Sequence, residues 1–205
     1  MTAPAPQNFF DPLFARGPDP WHFEGSWYEA RKRDLLLASL PHARYESIFE
    51  PGCAGGFVSE FLAQRCDRLL AWDGAVRAVE YTANRLKPFA HAQVAQGWVP
   101  NQWPEGRFEL IVLGEFLYYL QETDIERLAQ RCRATLLASG SAATVASCHW
   151  LHPFDSFPLG GARVHEIMHG HLQMPRLAQW RDADFCLEIW SSARQSVAQR
   201  EGRRE

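Results

Sequence analysis

Short apolar segments that end in a carboxylate alternate along this chain with segments of helical period, and this alternation limits the fold more than any other feature. Residues 46–50, ESIFE, read as a strand ending in Glu50, and residues 68–73, RLLAWD, as a strand ending in Asp73. Between them PGCAGG at 51–56 can only be a turn, and FVSEFLAQR at 57–65 has helical spacing. Upstream, residues 26–40 predict a helix opened by a Ser26–Glu29 capping box and stopped by Pro41. Downstream, the pattern predicts a helix at 75–87, a weak strand at 92–96 and a strongly apolar strand at 108–113. A helix at 123–138 follows, with Thr123 as N-cap and Ser139-Gly140 as its stop, and then a strand at 142–148. Beyond residue 150, HPFDSFPLGG reads as loop, a short helix falls near 162–169, and strands fall at 177–181 and 184–190. The expected fold is α/β: an open, mostly parallel seven-stranded sheet with helices on both faces and an antiparallel last strand.

Composition narrows the function. The 205 residues suit one domain over 21–195, with a Pro-rich flexible arm at 1–20 and a polar tail at 196–205. A net charge of −3 gives no electrostatic footprint for nucleic acid. No apolar run approaches the roughly 20 residues that span a membrane. The N-terminus lacks a basic segment followed by an apolar one, so no secretory signal is expected. Five cysteines without a CxxC pair point to reduced thiols and a cytoplasmic location. The expected partner is a small molecule.

The turn after the first strand is where chemistry is expected. Glycines there let a ligand lie against backbone and expose N–H groups at a helix start. The dinucleotide spacing G-x-G-x-x-G, started at Gly52, puts Ala54 second and Phe57 third and fits poorly. The pattern acid-x-G-x-G-x-G fits better, with Glu50, Gly52 and Gly56 in place and Ala54 at the middle glycine. Asp73 ends the next strand, roughly twenty residues on, where an acid can hold a ribose.

This acid-x-G-x-G-x-G pattern resembles the first motif of class I S-adenosylmethionine-dependent methyltransferases. A longer set of segments resembles the nodulation N-methyltransferase (NodS-like) family within that class. The set comprises Asp19-Pro20-Trp21, Tyr28-Glu29-Ala30-Arg31, the turn at 50–56 with Cys53, Ala71-Trp72-Asp73 and Trp103-Pro104. It continues with Gly114-Glu115-Phe116-Leu117-Tyr118-Tyr119-Leu120 and His149-Trp150-Leu151-His152-Pro153. Pro51, Gly55 and Gly114, the last in place of an expected Ser, depart from the family pattern. The resemblance implies a Rossmann-like fold and a methyltransferase that uses S-adenosyl-L-methionine on a small acceptor, an amine first and a hydroxyl as the alternative.

Roles follow from that resemblance. Tyr28, Arg31, Glu50, Gly52, Cys53, Gly56, Asp73, Gly74, Trp98, Val99 and Gly114 are the expected cofactor residues, with Asp73 on the ribose and Arg31 on the cofactor carboxylate. Glu115 and Tyr118 are expected beside the reacting methyl group, with His149 as proton acceptor. Trp21, Tyr119, Trp150 and His152 are expected around the acceptor. Two other readings compete. His165-Glu166-Ile167-Met168-His169 is a literal H-E-x-x-H, with Glu188 at a permissible distance for a third zinc ligand. Gly170 and Pro175 should cut that helix short, and Glu188 lies in a strand pattern, so no metal is expected. The other reading is a methyltransferase-like domain that only binds a partner.

Overall fold

The computed structural model describes residues 5–6, 8–139, 143–152, 157 and 159–204. The expected stop at Gly140, the first residue of the 142–148 strand, half of the 152–161 loop and part of the N-terminal arm lie outside the described residues. In chain order the elements are α1 (Asp11–Phe14), α2 (Trp27–Ser39), β1 (Tyr45–Pro51), α3 (Ser59–Ala63), β2 (Cys66–Asp73), α4 (Val76–Arg85) and β3 (Ala92–Gln96). They continue with β4 (Leu110–Gly114), a 3-10 turn (Leu117–Tyr119), α5 (Glu122–Ser139), β5 (Thr144–Trp150), α6 (Gly161–Leu172), β6 (Arg176–Arg181), β7 (Phe185–Ser191) and α7 (Val197–Arg200).

The seven strands form one sheet in the order β3-β2-β1-β4-β5-β7-β6. β7 runs antiparallel to both of its neighbours, and the other pairings are parallel. Successive residues of the central strands feed opposite cores, as the two-residue period of a strand requires. Phe49, Ile111 and Val145 pack with α5 and α6 on one face, whereas Ile48, Val112 and Ala146 pack with α2 and α3 on the other. Burial on both faces explains why β4 reads as an unbroken apolar run. The strand order reverses between β1 and β4, which opens a crevice at their carboxyl ends.

Several local readings need correction. Ser26 caps α2 by accepting the Glu29 N–H at 3.3 Å, but the Glu29 carboxylate turns to Lys32 rather than back to the cap. α5 begins at Glu122, so Thr123 lies in its first turn, where Glu122 and Asp124 complement the helix dipole. α6 runs through Gly170 to Leu172 and ends at Gln173, whose left-handed backbone closes it. The segment expected as an unpatterned arm contains α1, and its Phe14 is buried against α4, with Tyr81 donating to the Phe14 carbonyl.

The two ends of α6 make opposite demands on glycine. A Cβ at Gly161 would come within 2.1 Å of the Trp150 carbonyl oxygen, whereas one at Gly170 would meet nothing within 4 Å. Gly161→Ala should therefore cost about 1–3 kcal/mol. Gly170→Ala should add about 0.5–1 kcal/mol. Urea denaturation midpoints should move in opposite directions for the two variants.

Candidate functional site

The crevice at the β1–β4 switch deepens into a cavity of about 760 Å³. One end is walled by Gly74, Trp98 and Val99, the middle by Gly52, Cys53 and Asp73, and the other end by Tyr28, Glu29, Lys32, Glu115, Tyr118 and Trp150. Phe10, Phe14, Trp21 and Phe23 close it from the N-terminal side. Asp19 holds that cover in place by accepting the Phe23 and Glu24 N–H groups, each at 2.8 Å. Trp21 meets Phe14 edge-on and stacks on Phe23.

The turn is built for close approach. Gly52 has φ +76°, and a Cβ there would lie 2.8 Å from the Phe116 ring. Gly56, at φ +78°, packs on Thr82 of α4 and does not line the cavity. Ala54, at the middle glycine of the motif, also has positive φ, which an L-residue adopts at a cost of roughly 1–2 kcal/mol. Gly55, a departure from the family pattern, leaves room for the N-terminal cover: its Cβ would stand 2.5 Å from the Pro18 carbonyl oxygen. A Cβ at Gly114 would meet nothing within 4 Å, so the glycine there simply widens the cavity.

Asp73 accepts the Ala54 N–H on one oxygen and the Ala75 N–H on the other, both at 2.9 Å. A carboxylate offers about four lone-pair directions, so acceptor capacity remains toward the cavity. Burial raises its pKa, against the backbone N–H bonds that lower it. Glu50 lies behind the turn, outside the cavity lining, where burial pushes it up to about 8.

Five charged or phenolic groups meet at the far end. Lys32 Nζ lies 2.6 Å from Glu115 Oε1 and 2.9 Å from Glu29 Oε2, and 5.1 Å from the centre of the Tyr28 ring. The other Glu115 oxygen accepts the Tyr118 hydroxyl at 2.8 Å and the Trp150 N–H at 2.9 Å. Glu115 holds this position with a left-handed backbone, φ 57°. Burial works to lower the Lys32 pKa, but Glu115 and Glu29 outweigh it and raise it. Burial raises Glu29, against Lys32. The Tyr28 hydroxyl is buried at the cavity wall and has no hydrogen-bond partner among the described residues.

Of the residues expected from sequence, Tyr28, Gly52, Cys53, Asp73, Gly74, Trp98, Val99, Gly114, Glu115, Tyr118, Trp21, Tyr119 and Trp150 all line this one cavity. Glu50 and Gly56 lie behind the turn, and three others do something else. Arg31 turns away to Asp182 at 2.8 Å, over Trp180 and Phe185, and the next residue, Lys32, enters the cavity. His152 pairs with Asp184 at the surface. His149 is buried beneath the sheet, where Leu117 donates its N–H to Nε2 at 3.3 Å. Burial, and after it His165 and Lys32, hold the His149 pKa well below 6.5, so it does not face an acceptor as a base. The H-E-x-x-H residues diverge: His165 reaches Glu188, Glu166 pairs with Arg163 in solvent, and His169 accepts from Trp190. His165, Cys186 and Glu188 do come together, but Glu188 is already shared by His165, Gln179 and Arg176. Sequence reading missed Lys32 and Glu29 as cavity groups, and of the aromatic cover it named Trp21 but not Phe10, Phe14 or Phe23. Tyr28, Lys32 and Leu36 share one face by i, i+4 spacing, and that was the available signal.

Residues 13–151 match the family described as Nodulation protein S (NodS). The chain belongs to the NodS family. The match runs from α1 to the end of β5 and so takes in the strand ends around the cavity, while α6, β6 and β7 fall beyond it. Nodulation protein S of Rhizobium tropici is 33% identical over 141 residues, 65% of this chain and 59% of that protein. A Pseudomonas syringae crystal structure with a provisional methyltransferase assignment is 43% identical, with TM-score 0.70, covering 81% of this chain and 99% of that one. N-methyltransferase NodS from Bradyrhizobium japonicum WM9, in complex with S-adenosyl-L-homocysteine, has TM-score 0.74 at 23% identity, covering 84% of this chain and 91% of that one, a likeness of fold. The sheet is thus that of the class I methyltransferases. The chain spans about 59–65% of the length of the first curated NodS relatives.

Glu50 gives this region a pH signature. The fold favours its protonated form, so its contribution to stability is fully present below about 4.5 and is lost as pH rises toward 8. Glu50→Gln removes the titration. Its stability relative to the parent should rise steadily from pH 5 to pH 8 in denaturant titrations.

Proposed function

We propose that the protein is an S-adenosylmethionine-dependent methyltransferase that methylates a small amine, an amino sugar or related glycan precursor being the acceptor suggested by its family. The observation that carries this reading is a single cavity with Asp73 at its middle and the Glu29–Lys32–Glu115 cluster at one end. The residues present fit the cofactor. Asp73 has spare acceptor capacity for ribose hydroxyls, and Trp98 and Val99 offer a flat wall for adenine. The Gly52 and Cys53 backbone and the unpartnered Tyr28 hydroxyl suit the methionine end. Bound there, the cofactor supplies a sulfonium methyl group, whose transfer depends on alignment with the nucleophile more than on acid–base help.

The chain's own residues would select and orient the acceptor. Two carboxylates face one ammonium in the cluster, so one negative charge is left to attract an incoming alkylammonium. Tyr28, Tyr118 and Trp150 add aromatic faces that favour a cation. The amine must lose a proton before it can attack. Glu29, lifted by burial and lining the cavity, takes the part that His149 cannot. The aromatic cover over residues 10–23 would shield the bound cofactor from water. The free, buried thiols and the absence, among the described residues, of any helix long and apolar enough to cross a membrane support a cytoplasmic location.

Asp73→Ala should weaken S-adenosylhomocysteine binding roughly 30- to 1,000-fold by calorimetry, through loss of charge-assisted hydrogen bonds. An unchanged affinity in a folded variant would sink the cofactor assignment. Glu115→Gln should lower kcat/KM for the amine at least tenfold and leave cofactor affinity within a few-fold. Equal losses on both sides would move Glu115 to the cofactor.

A further inference from the structure

Behind the cluster, on the opposite face of the sheet, lies a row of buried polar groups that the mechanism above does not use. Leu117 donates its main-chain N–H to His149 Nε2 at 3.3 Å. His149 Nδ1 lies 3.3 Å from His165 Nε2 and 3.2 Å from Ser147 Oγ. His165 Nδ1 lies 2.9 Å from Glu188 Oε2. The other Glu188 oxygen takes Gln179 at 2.8 Å and the Arg176 guanidinium at 3.1 Å. The row therefore runs from the turn after Glu115, through β5, α6 and β7, to the edge strand β6.

The proton positions in this row are fixed by its ends. A main-chain N–H can only donate, so His149 Nε2 must be bare, and neutral His149 carries its proton on Nδ1. A carboxylate can only accept, so His165 carries its proton on Nδ1 and leaves Nε2 bare for the His149 proton. Each link then has one donor and one acceptor. One added proton breaks the order. On His165 Nε2 it puts two hydrogens into the 3.3 Å gap between the rings, and on His149 Nε2 it opposes the Leu117 N–H.

We propose that the row Leu117–His149–His165–Glu188 is a positioning relay, which pins the turn carrying Glu115 and Tyr118 only while both imidazoles are neutral. Glu115 has a left-handed backbone two residues before the pinned N–H, and the Tyr118 ring packs edge-on to His149 at 5.5 Å. The turn therefore needs an anchor, and His149 supplies it. The groups around the pair are Cys186 and Glu188 of β7, Arg176 of β6, Lys32 of α2, Ser147 of β5 and Tyr118 itself. Burial opposes charge on His165, but Cys186 and Glu188 outweigh it and raise its pKa, so His165 is where a proton enters as pH falls. Glu188→Gln keeps the shape and withdraws that support, which moves the transition to lower pH.

The claim that the turn serves the acceptor rests on the proposed function, but the relay itself can be read without it. Amide hydrogen exchange of Leu117, corrected for intrinsic rates, should lose at least tenfold protection between pH 8 and pH 5 in the unmodified protein. In Glu188→Gln the loss should come about one pH unit lower. His149→Leu should lower kcat/KM for the acceptor at least tenfold and leave S-adenosylhomocysteine affinity within threefold, and His149→Gln, which keeps an acceptor for Leu117, should recover most of the loss. Leu117 protection that is flat across pH 5–8 overturns the relay, even if the Leu variant fails to fold. Full acceptor kcat/KM in a folded His149→Leu overturns its positioning role. Absence of methyl transfer to any amine, with Leu117 protection still following pH, would count against the proposed reaction and leave the relay standing.

Discussion

One carboxylate ties three separate parts of the chain together around the cavity. Glu115 accepts Lys32 from α2, the Tyr118 hydroxyl from the turn that follows β4, and the Trp150 N–H from the end of β5. None of these donors is near Glu115 in sequence except Tyr118, so the wall exists only once the sheet has formed. The left-handed backbone at Glu115 is the cost of aiming its carboxylate back across the strand ends. Truncating this side chain would leave Lys32 with Glu29 alone and release the Trp150 N–H, and so affect binding and local order together.

A second carboxylate does comparable work at the end of β2. Asp73 braces the Gly52–Ala54 turn from below and the start of α4 from above, one oxygen to each. The two acids thus divide the cavity: Asp73 belongs to the turn, Glu115 to the cluster. Glu50, near the end of β1 between them, is buried and pushed up to about 8, so its neutral form is favoured and a second negative charge beside Asp73 is avoided.

Much of the fold was legible because its strands are short, apolar and punctuated by turns that admit no other reading. The turn at 51–56 and the acids at 50 and 73 located the crevice before any coordinates. What escaped the sequence depends on phase. Arg31 and Lys32 are neighbours in a basic run that reads as solvated, and only the helix phase set by Tyr28 and Leu36 decides which one turns inward. Cys148 and Trp150 line the cavity while His149 faces the opposite core with Ser147, because side chains alternate along β5. A shift of one residue separates a base in the site from an anchor behind it. Of the N-terminal cover only Trp21 could be read, since Phe10, Phe14 and Phe23 follow no period and the cover is held by Asp19 and by the space at Gly55.

The most direct test of the account is a crystal structure with S-adenosylhomocysteine bound. The account predicts the ribose hydroxyls on Asp73, the adenine against Trp98, and the sulfur directed at the Glu29–Lys32–Glu115 end with that cluster still intact. A homocysteine carboxylate bound by Lys32 in place of Glu115, or a ligand bound away from Asp73, would contradict it.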